Sequence, residues 1–137
     1  MELRNMDPVA TALLDRDSTI AVVGATDDPG KYGSVIYRDL KGKGYTVYAV
    51  NPGRDTVDGD PVYATLADLP FAPTIVNFVV PPPVALAVLA EAKELGFSLV
   101  WLQPGSSSAA VREYVESNGF EHLIDACIMV YAPTRKI

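Results

Sequence analysis

The chain has 137 residues, 49% of them apolar, and a formal charge of −6. That length suits one domain with a buried core and is too short for two, and the apolar content leaves little room for disorder. The negative balance disfavours nucleic acid or an anionic membrane as the main partner, but it does not exclude a small anion held in a local site. Residues 1–7 lack a long apolar core, so no signal peptide is expected. No apolar run approaches the roughly 18 residues of a membrane helix. The one cysteine, Cys127, has no partner for an internal disulfide, and a cytoplasmic protein is the simplest expectation.

A short leading helix is expected over residues 8–14, within a leading segment of residues 1–17, with Asp7 as its cap and Pro8 at its first position. Residues 19–23 are an apolar run ending at Gly24, which suits a strand buried on both faces of a parallel sheet. Val35, Ile36 and Leu40 give the next segment an apolar side, and Gly42 and Gly44 stop that helix. Residues 45–50 form a second strand, followed by an Asn-Pro-Gly turn. Residues 55–60 read as an exposed polar loop, 61–63 as a short edge strand, and 64–69 as a short helix capped by Thr65. A third strong strand covers 74–80 and ends at three prolines, after which 84–95 is an Ala-rich helix closed by Gly96. A strand at 98–102, a helix over 106–118 with a serine cap, and a last strand at 122–125 complete the series. Strands joined by crossover helices imply an α/β fold, a doubly wound, mostly parallel sheet with helices on both faces.

Such sheets bind ligands at the carboxyl ends of their strands. The four segments there are residues 24–32, 51–54, 81–83 and 103–107, which are also the Gly-, Pro- and polar-rich stretches. The first follows the run Ile-Ala-Val-Val-Gly-Ala-Thr-Asp-Asp-Pro-Gly at 20–30 and opens a helix. A helix N-terminus offers unpaired N–H groups and about half a positive charge, a ready site for phosphate. Gly24 removes a side chain at the turn, Thr26 adds a hydroxyl, Gly30 and Gly33 permit close approach, and Lys31 adds a cation. The pattern is not Gly-x-Gly-x-x-Gly, and a plain strand-to-helix turn also favours a glycine at Gly24. Asp27 and Asp28 would repel a diphosphate, and helix capping by at least one of them is the favoured role.

A dinucleotide site commonly places an acid after the second strand to grip the ribose. Here that place holds Val50, Asn51 and Pro52, with Arg54 two residues on. Arg54 suits a phosphate on the ribose, as in coenzyme A or NADP, or is simply a solvated loop arginine.

These residues carry a resemblance. The stretches 23–29 (Val-Gly-Ala-Thr-Asp-Asp-Pro), 50–52 (Val-Asn-Pro), 80–83 (Val-Pro-Pro-Pro), 100–105 (Val-Trp-Leu-Gln-Pro-Gly) and 125–129 (Asp-Ala-Cys-Ile-Met) resemble, in order and spacing, the small single-domain CoA-binding proteins. More distantly, the chain is similar to the CoA-binding domain of the succinyl-CoA synthetase alpha subunit. The match runs from about Ser18 to Val130. The resemblance implies one Rossmann-like domain over residues 1–137 that binds coenzyme A through its ADP portion. It implies that Gly24, Ala25, Thr26, Asp27, Asp28 and Pro29 line the phosphate turn, with Lys31 beside it. It places Asn51, Pro52 and Arg54 at a basic CoA contact, Val80, Pro81 and Pro82 against adenine, and Leu102, Gln103 and Pro104 on the next wall. The synthetase's phosphorylated histidine lies in a further domain with no counterpart in this sequence.

Other candidates for chemistry are weak. His122 is the only histidine, sits beside Glu121 and reads as a surface residue. One His and one Cys do not make a metal site. The serines at 106–108 lack a Gly-x-Ser-x-Gly frame and read as caps. Trp101 reads as core. Cys127 is either a small buried residue or the partner of the CoA thiol in a mixed disulfide. The expectation is a non-catalytic binder of coenzyme A or acyl-CoA, with a homo-oligomer or a partner protein left open. The alternatives are an NAD(P)-binding redox sensor or oxidoreductase accessory domain, and a protein-interaction module with a vestigial nucleotide site.

Overall fold

Apolar runs such as residues 19–23 and 99–102 need cover on both faces of a sheet. A computed structural model, which describes residues 7–135, supplies it. In chain order the elements are α1 (Pro8–Leu13), β1 (Thr19–Val23), α2 (Tyr32–Gly42), β2 (Thr46–Val50), β3 (Thr56–Val57), β4 (Asp60–Tyr63), β5 (Ile75–Phe78), α3 (Pro82–Leu95), β6 (Leu99–Leu102), α4 (Ala109–Ser117), β7 (Glu121–Ile124) and α5 (Ile128–Tyr131). The strands form one seven-stranded sheet in the order β3-β4-β2-β1-β5-β6-β7, antiparallel only between β3 and β4. The chain passes from β1 to β2 on one side and later places β5 on the other, so β1 is the switch point.

One face of the sheet, with Ile20, Val22, Ala49, Ile75 and Trp101, packs under α1, α2 and α5. The other, with Ala21, Val23, Val50, Val76, Phe78 and Leu102, packs under α3 and α4. The alternation along each strand follows from the period-two geometry of extended chain. Tyr63, Val50, Val23, Phe78, Leu102 and Ile124 stand in one row of the register. The parallel strands therefore end level, and the loops after them share one rim.

Local chemistry accounts for the helix ends. The Val9 N–H donates to the Asp7 carboxylate at 2.8 Å, capping α1 as expected. Ser108 accepts from the Val111 N–H at 3.2 Å and caps α4. Helix α3 begins two residues earlier than expected, because Pro82 and Pro83 have the φ of a first helical turn and need donate nothing there. The 64–69 helix is a single 3₁₀ turn over Leu66–Asp68, closed by a capping box between Thr65 and Asp68.

Two further segments differ from expectation. Residues 55–60 are not a loop: Val57 is fully buried, and β3 and β4 pair as a hairpin. Its tip, Asp58 at φ 51° and Gly59 at φ 80°, takes the two left-handed residues of a two-residue turn. Helix α5 was not expected either. Its four residues lie too far below the length at which periodicity can be read.

Asn77 of β5 sits fully buried opposite Val22 and Trp101 in the register, and both of its amide atoms lack a protein partner among the described residues. An unsatisfied buried amide costs about 1–3 kcal/mol. Asn77→Val is therefore expected to raise the unfolding free energy by about 1 kcal/mol in urea titrations. An unchanged or lowered midpoint would contradict this account.

Candidate functional site

The rim opens into a groove of about 660 Å³ at the switch point. Its first wall is the turn from β1 to α2. Gly24 has φ +99°, and a Cβ there would lie 2.5 Å from the Val79 carbonyl oxygen and 2.7 Å from Val80 Cγ1. Gly33, in the first turn of α2, is tighter still, since a Cβ would meet the Gly24 carbonyl oxygen at 2.1 Å. The start of α2 thus rests directly on the end of β1. Thr26 is buried, lines the groove and accepts from the Asp28 N–H at 3.2 Å.

No side chain caps α2, whose N-cap is Lys31, and its first turn holds no acid. The positive end of its dipole therefore faces the groove uncompensated. Lys31 and Arg54 both line the groove and add to it. Neither of the two nearby acids, Asp27 and Asp28, caps α2 as expected. The Asp27 carboxylate accepts from the Asp58 N–H at 2.8 Å and pairs with Arg38 at 3.2 Å. The Asp28 carboxylate accepts from the Gly30 N–H at 3.0 Å, closing a local turn ahead of the helix. Neither lines the groove.

The opposite wall is Val79, Val80, Pro81 and Pro82 at the start of α3. This is also a helix N-terminus, but Pro81, Pro82 and Pro83 carry no N–H. It presents pyrrolidine rings where α2 presents donors. The groove is thus polar and cationic on one side and apolar on the other. Pro104, Gly105 and Ser106 complete it. The Ser106 hydroxyl donates to the Phe78 carbonyl and accepts from the Val80 N–H, both at 3.1 Å, tying the loop after β6 to the end of β5. Asn51 ties the other side: its Nδ2 donates to the Ala25 carbonyl at 3.0 Å, and its Oδ1 accepts from the Gly53 N–H at 2.9 Å.

Among the residues expected at the site, Gly24, Thr26, Lys31, Asn51, Arg54, Val80, Pro81, Pro82 and Pro104 line this groove. Pro52 lines a neighbouring cavity of about 610 Å³ against α3. Gln103 and Cys127 line a smaller cavity of about 150 Å³ beside the groove. Ala25 and Leu102 are fully buried in the core, and Asp27, Asp28 and Pro29 line none of these spaces. Tyr32, Gly53 and Gly105, all within the expected rim segments, also line the groove, and Val79, expected inside a strand, joins them. His122 lies away from it on β7, its Nδ1 3.0 Å from the Phe120 carbonyl. Trp101 is core, its Nε1–H donating to the Ala126 carbonyl at 2.8 Å. Among the described residues, no three His, Cys, Asp or Glu side chains converge as a metal site.

Comparison with known proteins places the chain in a family. Residues 18–133 match the CoA binding domain. The chain belongs to the CoA-binding domain family. A conserved hypothetical protein from Pyrococcus furiosus shares its fold with a TM-score of 0.80 and 43% identity, over 82% of this chain and 97% of that one. The uncharacterized protein YneT of Bacillus subtilis is 26% identical over 118 residues, 86% of this chain and 87% of that protein. The alpha subunit of the ADP-forming acetate–CoA ligase II of P. furiosus is 35% identical over 78 residues, but that region is 56% of this chain and only 17% of the subunit. The fold is thus the Rossmann-like α/β arrangement of this family, which also occurs as one part of longer ligase subunits.

Gly33→Ala is expected to destabilise the protein by about 1–3 kcal/mol, because the clash is with backbone and the helix must move. Urea unfolding reads this, and an unchanged midpoint would refute the close contact. A pH dependence follows from the same corner. Hydrogen bonding from the Asp58 N–H, then Arg38, holds the Asp27 carboxyl below its usual range. Lys41, then the Tyr37 hydroxyl, does the same for Asp60. Both charged forms are favoured by folding, so their contribution is present above about pH 4 and is lost as the pH falls below it. The urea midpoint is expected to drop on that acid limb, and Asp60→Asn to make the drop shallower. An equally steep acid limb in the variant would contradict this reading.

Proposed function

We propose that this protein binds coenzyme A or an acyl-CoA in the rim groove and has no catalytic group of its own. The observation that carries the reading is the two-sided wall. The uncapped α2 N-terminus, with Lys31 and Arg54, suits a diphosphate and a ribose phosphate. The Val80–Pro82 side, stripped of donors, suits the flat apolar face of an adenine. The residues present fit this ligand, because among the described residues no carboxylate lines the groove. The rim of β2 offers Asn51 rather than an acid, and the Asn51 side chain is engaged by Ala25 and Gly53, so a free ribose diol of the NAD type finds no grip there. The ligase relatives, longer chains whose names include CoA, are consistent with the same ligand class. A carrier, sensor or accessory role, alone or with a partner protein, follows from binding without chemistry.

Calorimetric titration with CoA, dephospho-CoA, NAD and NADP tests this. CoA is expected to bind most tightly. Loss of its 3′-phosphate, or Arg54→Ala, is expected to weaken binding by about fivefold, the scale of one exposed charge-assisted contact. Preference for NADP over CoA would overturn the reading in favour of a redox role. Silence from all four would favour a protein-interaction role.

A further inference from the structure

The small cavity beside the groove is not explained by binding of an ADP portion. It is lined by Tyr32, Ile36, Val79, Gln103, Pro104 and Cys127 and has a volume of about 150 Å³. Tyr32, Val79 and Pro104 also line the main groove, so the two spaces are joined along one shared wall. Its surface is mostly apolar, and Gln103 contributes a side-chain amide to it.

Gln103 is 3% exposed, and its position is doubly held. Its backbone N–H donates to the Phe78 carbonyl, and its Oε1 accepts from the buried Ile128 N–H, each at 3.0 Å. Because Ile128 supplies a donor, the side-chain oxygen must face it and the amide nitrogen must face away. Among the described residues nothing accepts from Nε2, yet the atom is not sealed in the core. That atom is therefore open to solvent and free to donate to a ligand acceptor in place of water. The cavity therefore offers one fixed N–H donor at the edge of an apolar space.

We infer that this cavity holds the acyl end of a short-chain acyl thioester of coenzyme A, with Gln103 Nε2 donating to the thioester carbonyl oxygen. The inference rests on the CoA reading above and names the form of the ligand. With the diphosphate at Lys31 and Gly33, the pantetheine arm leaves over Tyr32 and Pro104, the shared wall, and delivers its end to the cavity. An apolar cavity of about 150 Å³ takes up a benzene-sized group, which limits the chain to about six carbons. Free CoA, ending in a thiol, would leave both the donor and the apolar surface unused.

Titration of the full chain with CoA, acetyl-CoA, butyryl-CoA, hexanoyl-CoA and decanoyl-CoA decides the matter without a variant. Affinity is expected to rise by about threefold per added carbon and to stop rising beyond about six. Gln103→Glu keeps the acceptor for Ile128 and removes the donor, and is expected to weaken butyryl-CoA by about fivefold relative to free CoA. Cys127→Phe fills the cavity and is expected to abolish the advantage of butyryl-CoA over CoA. Equal affinities for CoA and all thioesters in the unaltered protein would overturn the acyl site and leave the CoA reading standing. Failure of CoA and every thioester to bind would overturn both.

Discussion

The contact on which the rest depends is between two glycines. Gly33 in α2 lies so close to the Gly24 carbonyl that no side chain fits between them. This closeness brings the first turn of α2 flush with the end of β1, at the point where the sheet reverses its order. A bulkier residue at either place would push the helix outward and separate its N–H groups from the rim. Cationic walls, apolar walls and bridging side chains are useful only because this helix end is where it is.

The site also shows how a local field prevails in an acidic protein. The chain carries −6 overall, and two of its carboxylates stand within the loop that opens the groove. Asp27 is drawn outward by Arg38 and by the tip of the β3–β4 hairpin, while Asp28 is spent on the turn at Gly30. The hairpin is itself clamped to α2, with Lys41 3.1 Å from Asp58 and 2.9 Å from Asp60, and the Tyr37 hydroxyl donating to Asp60 at 2.7 Å. Each exposed pair is worth little alone. Together they hold Asp27, Asp58 and Asp60 against Arg38 and Lys41 rather than against the groove cations. Distant acids are screened over about 10 Å at ordinary salt, so the groove responds mainly to its own lining.

Much of this was legible before the fold was known, and what was not has identifiable causes. The strands could be read because burial on both faces leaves continuous apolar runs, and the rim because Gly and Pro interrupt them. The hairpin at residues 56–63 was missed although Asp58 and Gly59 form a favoured turn pair, since β3 has only two residues and no alternation to show. The family resemblance implies site residues in consecutive stretches, but a strand sends alternate residues to opposite faces. Leu102 therefore faces the α3 and α4 side of the core, whereas Gln103, the next residue, reaches the small cavity. Val79 carried no signal because a valine near the end of an apolar strand is ordinary in any core.

By itself the sequence determined the alternation of strand and helix, the doubly wound sheet, the glycine turn after β1 and the lack of an acid after β2. Those are local properties, set by which side chains can be buried and which backbone angles each residue allows. Only the tertiary structure decided which groups share the groove, because that depends on strand order and register. It decided that Asp27 turns to Arg38 and Asp58, 11 and 31 residues away. It also decided that Gln103 holds Ile128, 25 residues on, with one end of its amide and leaves the other end open. Such pairings are fixed by packing across the sheet, and no local pattern encodes them.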